Sequence, residues 1–160
     1  MTIILGLAPS LSCTGWGVVR AEGSRLTHIA NGQIPTQAKA PMAERLAALQ
    51  TGIAQVIAEH TPDRVACEEV FVNKNPQSTL KLAQARGAVL AACGAANLSA
   101  NDHAARLGKK AGVGTVGADK AQVQDMLKVL LPGAAIAGAD AADALAAALA
   151  DAHLSYTPLR

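Results

Sequence analysis

The sequence predicts an α/β fold in which a mixed sheet of five strands carries helices on both faces. The chain begins with a continuous apolar run over residues 2–7, as strands buried on both faces do. Two more strand patterns precede the first amphipathic helix, and strand and helix patterns then alternate. This order, βββ-α-β-α-(β)-α-α, is typical of a layered α/β domain.

The first three strands come before any helix. A turn at residues 8–10 separates the strand over residues 2–7 from a second strand over residues 14–19, as turn residues between apolar runs indicate. Residues 25–34 predict a third, weaker strand that Pro35 ends. We expect the three strands to pair antiparallel, with the first in the centre of the sheet.

Two helices and a strand follow. Residues 41–60 place apolar side chains at helical spacing, which predicts an amphipathic helix. Residues 64–70 predict a strand that a right-handed crossover makes parallel to the first. A long helix is predicted over residues 78–97, where Gly87 and Gly94 are expected to permit close packing.

The last third of the chain has weaker patterns. Residues 98–110 contain polar side chains that interrupt an apolar pattern, so we expect a short fifth strand followed by a helical turn. Helices are predicted over residues 120–131 and 140–153, with a frayed tail from residue 155. Because neither a repeat nor a linker is evident, residues 1–160 are expected to form a single domain.

Composition predicts a soluble, cytoplasmic protein. The longest apolar runs fall short of the ~20 residues that cross a bilayer, and the apolar start lacks the cationic segment of a signal peptide. Cys13, Cys67 and Cys93 are widely spaced in apolar surroundings, which fits neither a disulfide framework nor a zinc site. We expect them to be reduced packing residues.

Basic residues are concentrated between Lys74 and Lys128, which contains eight Lys and Arg against three acids, although the whole chain carries only +2. A basic surface beside an acidic cluster suits a nuclease of a polyanion. On charge alone, ordinary solvated helix faces explain this bias better.

Three carboxylates stand where strand and helix ends bring side chains together. Glu68 follows a buried strand, and Asp140 and Asp143 share one face of a helical turn. Gathered carboxylates hold the two Mg²⁺ ions of phosphodiester cleavage. The alternative, favoured by spacing alone, is that the two aspartates cap the helix. At least one of Glu68 and Glu69 must face away, because adjacent strand residues point to opposite faces.

Phe71 lies where an apolar strand gives way to a polar loop. Its ring is suited to wedge between bases, although an ordinary core position is the better interpretation of this residue alone. The glycines of residues 112–117 lack the Lys-Ser/Thr of a phosphate-binding loop, so that motif is absent from the sequence.

Six motifs together resemble the RuvC-type crossover junction endodeoxyribonucleases, the bacterial Holliday-junction resolvases, over nearly the whole chain. They are ILGL at 4–7, TGWGV at 14–18, EEVFVNKN at 68–75, LKLAQARG at 80–87, ADKAQV at 118–123 and DAADAL at 140–145. The resemblance implies a ribonuclease H-like fold, a homodimer, and paired nicks at four-way DNA junctions in recombination and repair. It also implies two Mg²⁺ ions per active site, for which Mn²⁺ can substitute, and the RuvA and RuvB branch-migration proteins as partners.

The resemblance also assigns site residues. The four acidic ligands of the family fall on Ala8, Glu68, Asp140 and Asp143, so for the two aspartates the ligand interpretation now outweighs capping. The base-contacting phenylalanine falls on Phe71. The expected DNA-binding set consists of Phe71, Asn73, Lys74, Lys81, Arg86, Lys109 and Lys120.

Ala8 departs from the family pattern, which has an aspartate there. An alanine side chain cannot bind metal, so we expect the first ligand to be missing and cleavage to be impaired. The leading hypothesis is a resolvase in a cleavage-deficient form, and the alternative is a naturally non-catalytic junction-binding module. A third hypothesis, a small actin-like phosphotransferase, requires a second phosphate loop and a much longer chain.

Overall fold

The predicted five-stranded mixed sheet is confirmed. The computed structural model describes residues 1–69, 75–104 and 120–155. In this part of the chain the strand order is β3-β2-β1-β4-β5. Neighbours β1/β2 and β2/β3 are antiparallel, whereas β1/β4 and β4/β5 are parallel. The strands are β1 (Thr2–Ala8), β2 (Cys13–Glu22), β3 (Arg25–Pro35), β4 (Arg64–Glu69) and β5 (Ala100–Ala104).

Helices cover both faces of this sheet. They are α1 (Met42–His60), α2 (Pro76–Ala95), α3 (Lys120–Leu130) and α4 (Ala139–Ser155). Helices α1 and α2 share one core with the odd-numbered apolar residues of β1, such as Leu5 and Leu7. Helix α4 packs on the other face, with α3 contributing Val123 and Leu127 to the same core. The apolar alternation of β1 therefore separates two helical layers.

β5 forms although its sequence is polar. It lies at the edge of the described sheet, beside β4 only, and its polar side chains find partners. Asn101 Nδ2 donates to Asp151 Oδ1 at 3.3 Å, and Asp102 pairs with Arg86. An edge position thus explains why no buried-strand pattern was visible. The predicted helical turn after β5 and the tail beyond residue 155 lie outside the described residues.

The prediction that Gly87 and Gly94 permit close packing was wrong. Among the described residues, nothing lies within 4 Å of the place where a Cβ would stand on either glycine. The close approach occurs instead under α4, where a Cβ on Gly6 would overlap the carbonyl oxygen of Ala144 and one on Gly15 would overlap that of Asp140. Helix α4 therefore rests directly on the backbone of β1 and β2.

Two of the cysteines are confirmed as packing residues. Cys67 and Cys93 are fully buried in the core beneath α1 and α2. Burial raises the pKa of the Cys67 thiol to about 12 and that of Cys93 to about 11. Both thiols are therefore protonated at neutral pH, as inert buried cysteines are.

Within the described ranges, every helix is too short or too polar to pass through a bilayer.

Candidate active site

Ala8 and Glu68 emerge side by side at the carboxyl edge of the sheet. β1 and β4 run parallel with Leu7 opposite Cys67. Ala8, the next residue of β1, therefore lies beside Glu68, the next residue of β4. Ala8 is buried and Glu68 is half-buried. The end of the central strand and the end of its parallel neighbour therefore meet, as predicted for a site at this edge.

Glu68, and not Glu69, faces α4. Ile4 of β1 and Ala66 of β4 both belong to the core beneath α4. Strand side chains alternate between faces, so Ala8 and Glu68 point to the same side as Ile4 and Ala66. Glu69 is exposed on the opposite face, which fulfils the expectation that one of the two glutamates faces away.

Asp140 and Asp143 stand above this edge on the first turn and a half of α4. The helix begins at Ala139, so Asp140 is its second residue and lies in its first turn. Gly15, which pairs with Ala8 across β1 and β2, lies directly beneath the backbone of Asp140. An acid in the first turn also interacts favourably with the helix dipole. Asp140 can therefore stabilise the start of α4, as the capping alternative expects, and still lie at this edge of the sheet.

The described residues do not complete a metal site. Within residues 1–69, 75–104 and 120–155, no group of three or more His, Cys, Asp or Glu side chains is placed to hold a metal ion. Glu68, Asp140 and Asp143 share one edge of the sheet, but Ala8 contributes no donor atom between them. The donor set as it stands therefore does not fit the two-metal centre that the resemblance implies.

Cys13 is a neighbour of Asp140 that sequence reasoning missed. Its half-buried thiol donates a hydrogen bond to the Asp140 carboxylate; burial first, and then this carboxylate, raise the pKa of Cys13. The contact follows from the close packing of Gly15 against Asp140, because Cys13 begins the same strand. The chain offered no signal for it, since the two residues are far apart in sequence.

Two polar side chains of β3 fix the start of α4. Asn31 Nδ2 donates to the carbonyl oxygen of Ala135 at 2.8 Å, and the Ala137 N–H donates to Asn31 Oδ1 at 2.8 Å. Gln33 Oε1 accepts from the N–H of Ala141 at 3.4 Å. We call Asn31 and Gln33 the β3 clamp. It sets where α4 begins and hence where Asp140 stands.

His28 supports the clamp as a neutral imidazole. The two backbone partners of Asn31 fix its amide orientation, so Nδ2 is the donor to His28 Nε2 at 2.9 Å. Burial lowers the pKa of His28. The unprotonated Nε2 is thus available to accept this hydrogen bond at neutral pH.

Arg86, predicted to contact DNA, holds the end of β4. Its Nη1 donates to the carbonyl oxygen of Glu68 at 2.9 Å and contacts the Cys67 sulfur at 3.3 Å, and its Nη2 pairs with Asp102 of β5. Only 16% of the Arg86 side chain is exposed. In this arrangement Arg86 positions the Glu68 backbone, and a role in DNA binding stays a prediction.

The other predicted DNA contacts are less completely described. Lys81 is exposed on α2. Lys120 is the first residue of α3, although its side chain lies outside the described set. The remaining predicted contacts fall on undescribed residues and stay predictions; these are Phe71, Asn73, Lys74 and Lys109.

Known proteins resemble this chain along nearly its whole length. A family profile described as "Crossover junction endodeoxyribonuclease RuvC" matches residues 4–151. A protein of that name in Erythrobacter litoralis is 74% identical to this chain, over 96% of this chain and 94% of the relative. Another in Sphingopyxis alaskensis is 64% identical, over 94% of this chain and 97% of the relative.

Solved structures confirm the ribonuclease H-like fold. "T. thermophilus RuvC in complex with Holliday junction substrate" superposes with a TM-score of 0.90 at 27% identity, covering 98% of this chain and 96% of that one. The yeast mitochondrial Holliday junction resolvase Ydc2 superposes with a TM-score of 0.68 at 11% identity, covering 94% of this chain and 77% of that one. At this identity the likeness shows the fold alone. This chain belongs to the RuvC family of crossover junction endodeoxyribonucleases.

Proposed function

We propose that this chain recognises four-way (Holliday) DNA junctions as a resolvase in recombination and repair. The observation that carries the proposal is the match over 98% of the chain, with a TM-score of 0.90, to a RuvC structure described as bound to a Holliday junction substrate. The 74% identity to a protein named as a crossover junction endodeoxyribonuclease supports the same activity.

The proposed activity requires Mg²⁺, two ions per active site, with Mn²⁺ as a possible substitute. Such ions activate the attacking water and stabilise the leaving oxygen in phosphodiester cleavage. Glu68, Asp140 and Asp143 are the proposed ligands, with a fourth carboxylate required at position 8. Because Ala8 supplies none, we infer that this chain binds junctions but cleaves them poorly.

A naturally non-catalytic junction-binding module is the second candidate function. The same Ala8 favours it, because a binding module needs no metal ligands. The three other acids argue against it, since a module without catalysis has no need for Glu68, Asp140 and Asp143 at one edge of the sheet. Cleavage by a chain with the carboxylate restored separates the two candidates.

A junction with two equivalent strands calls for a two-fold symmetric protein, so we propose a homodimer. In the cytoplasm it would work with the RuvA and RuvB branch-migration proteins. The proposed contacts to bases and phosphates are Phe71, Asn73, Lys74, Lys81, Arg86, Lys109 and Lys120.

Junction binding without divalent metal tests the proposal, because cleavage then does not interfere. The chain should bind a four-way junction more tightly than a linear duplex of the same sequence, and light scattering should show a dimer. Lys120→Ala should weaken binding to all junction sequences alike. Lys128→Ala is the control on the same helix, since Lys128 is exposed and lies 3.8 Å from Asp125. Equal affinity for junction and linear DNA would refute junction recognition.

A further inference from the structure

A cleft of ≈ 510 Å³ opens next to the carboxyl edge of the sheet, on the side of α1 and α2. Its walls are the turn after β1, with Ser10 and Ser12, the first turn of α1, with Arg45, and the first two turns of α2, with Ser78 and Lys81. The described lining contains two cations, three hydroxyl groups and no acid. Ser10 is two residues past Ala8, so the cleft adjoins the candidate active site.

Arg45 is held in place by a hydrogen bond to Thr36. Its Nε donates to Thr36 Oγ1 at 3.0 Å. Thr36 is itself fixed to the turn after β1, because its hydroxyl donates to the carbonyl oxygen of Leu11 and its N–H donates to that of Ser12 at 3.0 Å. Among the described residues the terminal nitrogens of Arg45 have no hydrogen-bond or ion-pair partner. Those nitrogens form the fork that binds phosphate oxygens in pairs.

Lys81 faces the same cleft from α2. It is exposed, and no described acid pairs with it. The first turn of α2 adds a positive helix end, although Asn75 Oδ1 already accepts from the N–H groups of Gln77 and Ser78. Two cations on different elements thus line one cleft, and among the described residues no acid pairs with either of them.

We propose that this cleft binds a backbone phosphate of the DNA strand that crosses the carboxyl edge of the sheet. The inference rests on the proposed function and assigns Arg45 and Lys81 as the phosphate contacts, with Thr36 as a positioning residue. The cleft volume is many times the roughly 10–15 Å³ that a cavity needs to hold one water molecule. It therefore has room for a phosphate together with the sugars on either side.

The salt dependence of junction binding, measured without divalent metal, tests the site. Each phosphate contact contributes about 0.7–0.9 to the slope of log affinity against log salt. When the salt concentration rises from about 50 to 200 mM, the junction affinity of both proteins falls. The factor by which it falls should be about threefold smaller for Arg45→Gln than for the parent. Lys81→Gln should behave in the same way. Arg45→Lys, which retains the charge, should keep the parent slope.

Arg25→Gln is the matched control. Arg25 is exposed at the β2–β3 turn, at the opposite end of the sheet from Ala8. Thr36→Val should weaken binding by roughly two- to tenfold, the worth of one hydrogen bond, without changing the slope. Melting curves of every variant confirm that it is folded.

The outcomes separate this site from the proposed function. If the parent binds junctions selectively but Arg45→Gln and Lys81→Gln keep its slope, the cleft proposal is overturned and the proposed function stands. Inorganic phosphate could raise the melting temperature of the parent but not that of Arg45→Gln, while both proteins keep the same salt slope for junction binding. In that case the cleft binds free anions and the DNA assignment is wrong. If the parent binds junction and linear DNA equally but Arg45→Gln and Lys81→Gln have smaller salt slopes than the parent, the cleft proposal is supported and the proposed function is refuted.

Discussion

Replacing Arg86 by methionine should destabilise the protein, because this side chain connects the end of β4 to β5. The guanidinium donates to the Glu68 carbonyl oxygen at 2.9 Å and pairs with Asp102. Methionine retains an apolar stem but removes both contacts. A hydrogen bond from a charged donor contributes about 1.5–3 kcal/mol. The Asp102 pair adds little, because 53% of that side chain is exposed and can rehydrate. We expect the free energy of unfolding to fall by about 2 kcal/mol.

Thermal and urea denaturation measure this loss, which should lower Tm by about 4–8 °C in a protein of this size. Lys81→Met is the matched control, since it removes an exposed charge from the same helix and should change stability by less than about 0.5 kcal/mol. An unchanged Tm for Arg86→Met, combined with a large loss of junction affinity, would refute the positioning role. It would favour the DNA contact predicted from the sequence.

Three further predictions concern other parts of the molecule. Arg64→Ala should cost about 3 kcal/mol in urea unfolding, because Asp151, only 1% exposed, loses its ion-pair partner at 2.8 Å and the hydrogen bond from Asn101 does not replace that charge; a loss below about 1 kcal/mol would show that the pair contributes little. The pKa of His28 is lowered in the folded chain, so as pH falls the imidazole is protonated in the unfolded chain at a higher pH than in the folded chain. Stability should therefore decrease below about pH 6.5, and His28→Gln should flatten that dependence in melting curves; equal pH profiles would contradict it. Phe71→Ala should leave Tm nearly unchanged and impair junction cleavage in an active background, whereas a loss of ~3 kcal/mol or more would place Phe71 in the core.

The sheet and its layers were predictable because their signals are local. The apolar run that begins the chain predicted a central strand, and β1 lies between β2 and β4. The spacing of Leu49, Ile53 and Val56 predicted α1, and all three are buried in the core under that helix. Polar β5 gave a weak signal, since an edge strand satisfies its polar groups with partners such as Arg86 and Asp151 that local sequence does not show.

The supports of the candidate site were not predictable from local patterns. Asn31 contacts Ala135, which lies 104 residues along the chain, and in the sequence it merely weakens a strand pattern. Gly15 belongs to a recognised motif, but its contact with Asp140 depends on how closely α4 approaches the sheet. The resemblance gave the positions of the acids, while only the fold shows that Glu68 shares a face with Ala8.

Cleavage by the Ala8→Asp protein tests the central claim most directly. Ala8 ends the central strand beside Glu68 and pairs with Gly15, which lies beneath the start of α4, so an aspartate there adds the missing carboxylate at the position where the resemblance requires it. Without metal, the added charge should slightly lower stability through repulsion between carboxylates, and Ala8→Asn is the neutral control. We predict Mg²⁺-dependent symmetric nicking of four-way junctions by Ala8→Asp, and its loss when Glu68, Asp140 or Asp143 is also replaced by alanine. If Ala8→Asp binds junctions but does not cleave them with Mg²⁺ or Mn²⁺, the account of a cleavage-deficient resolvase is wrong and the chain is a junction-binding module.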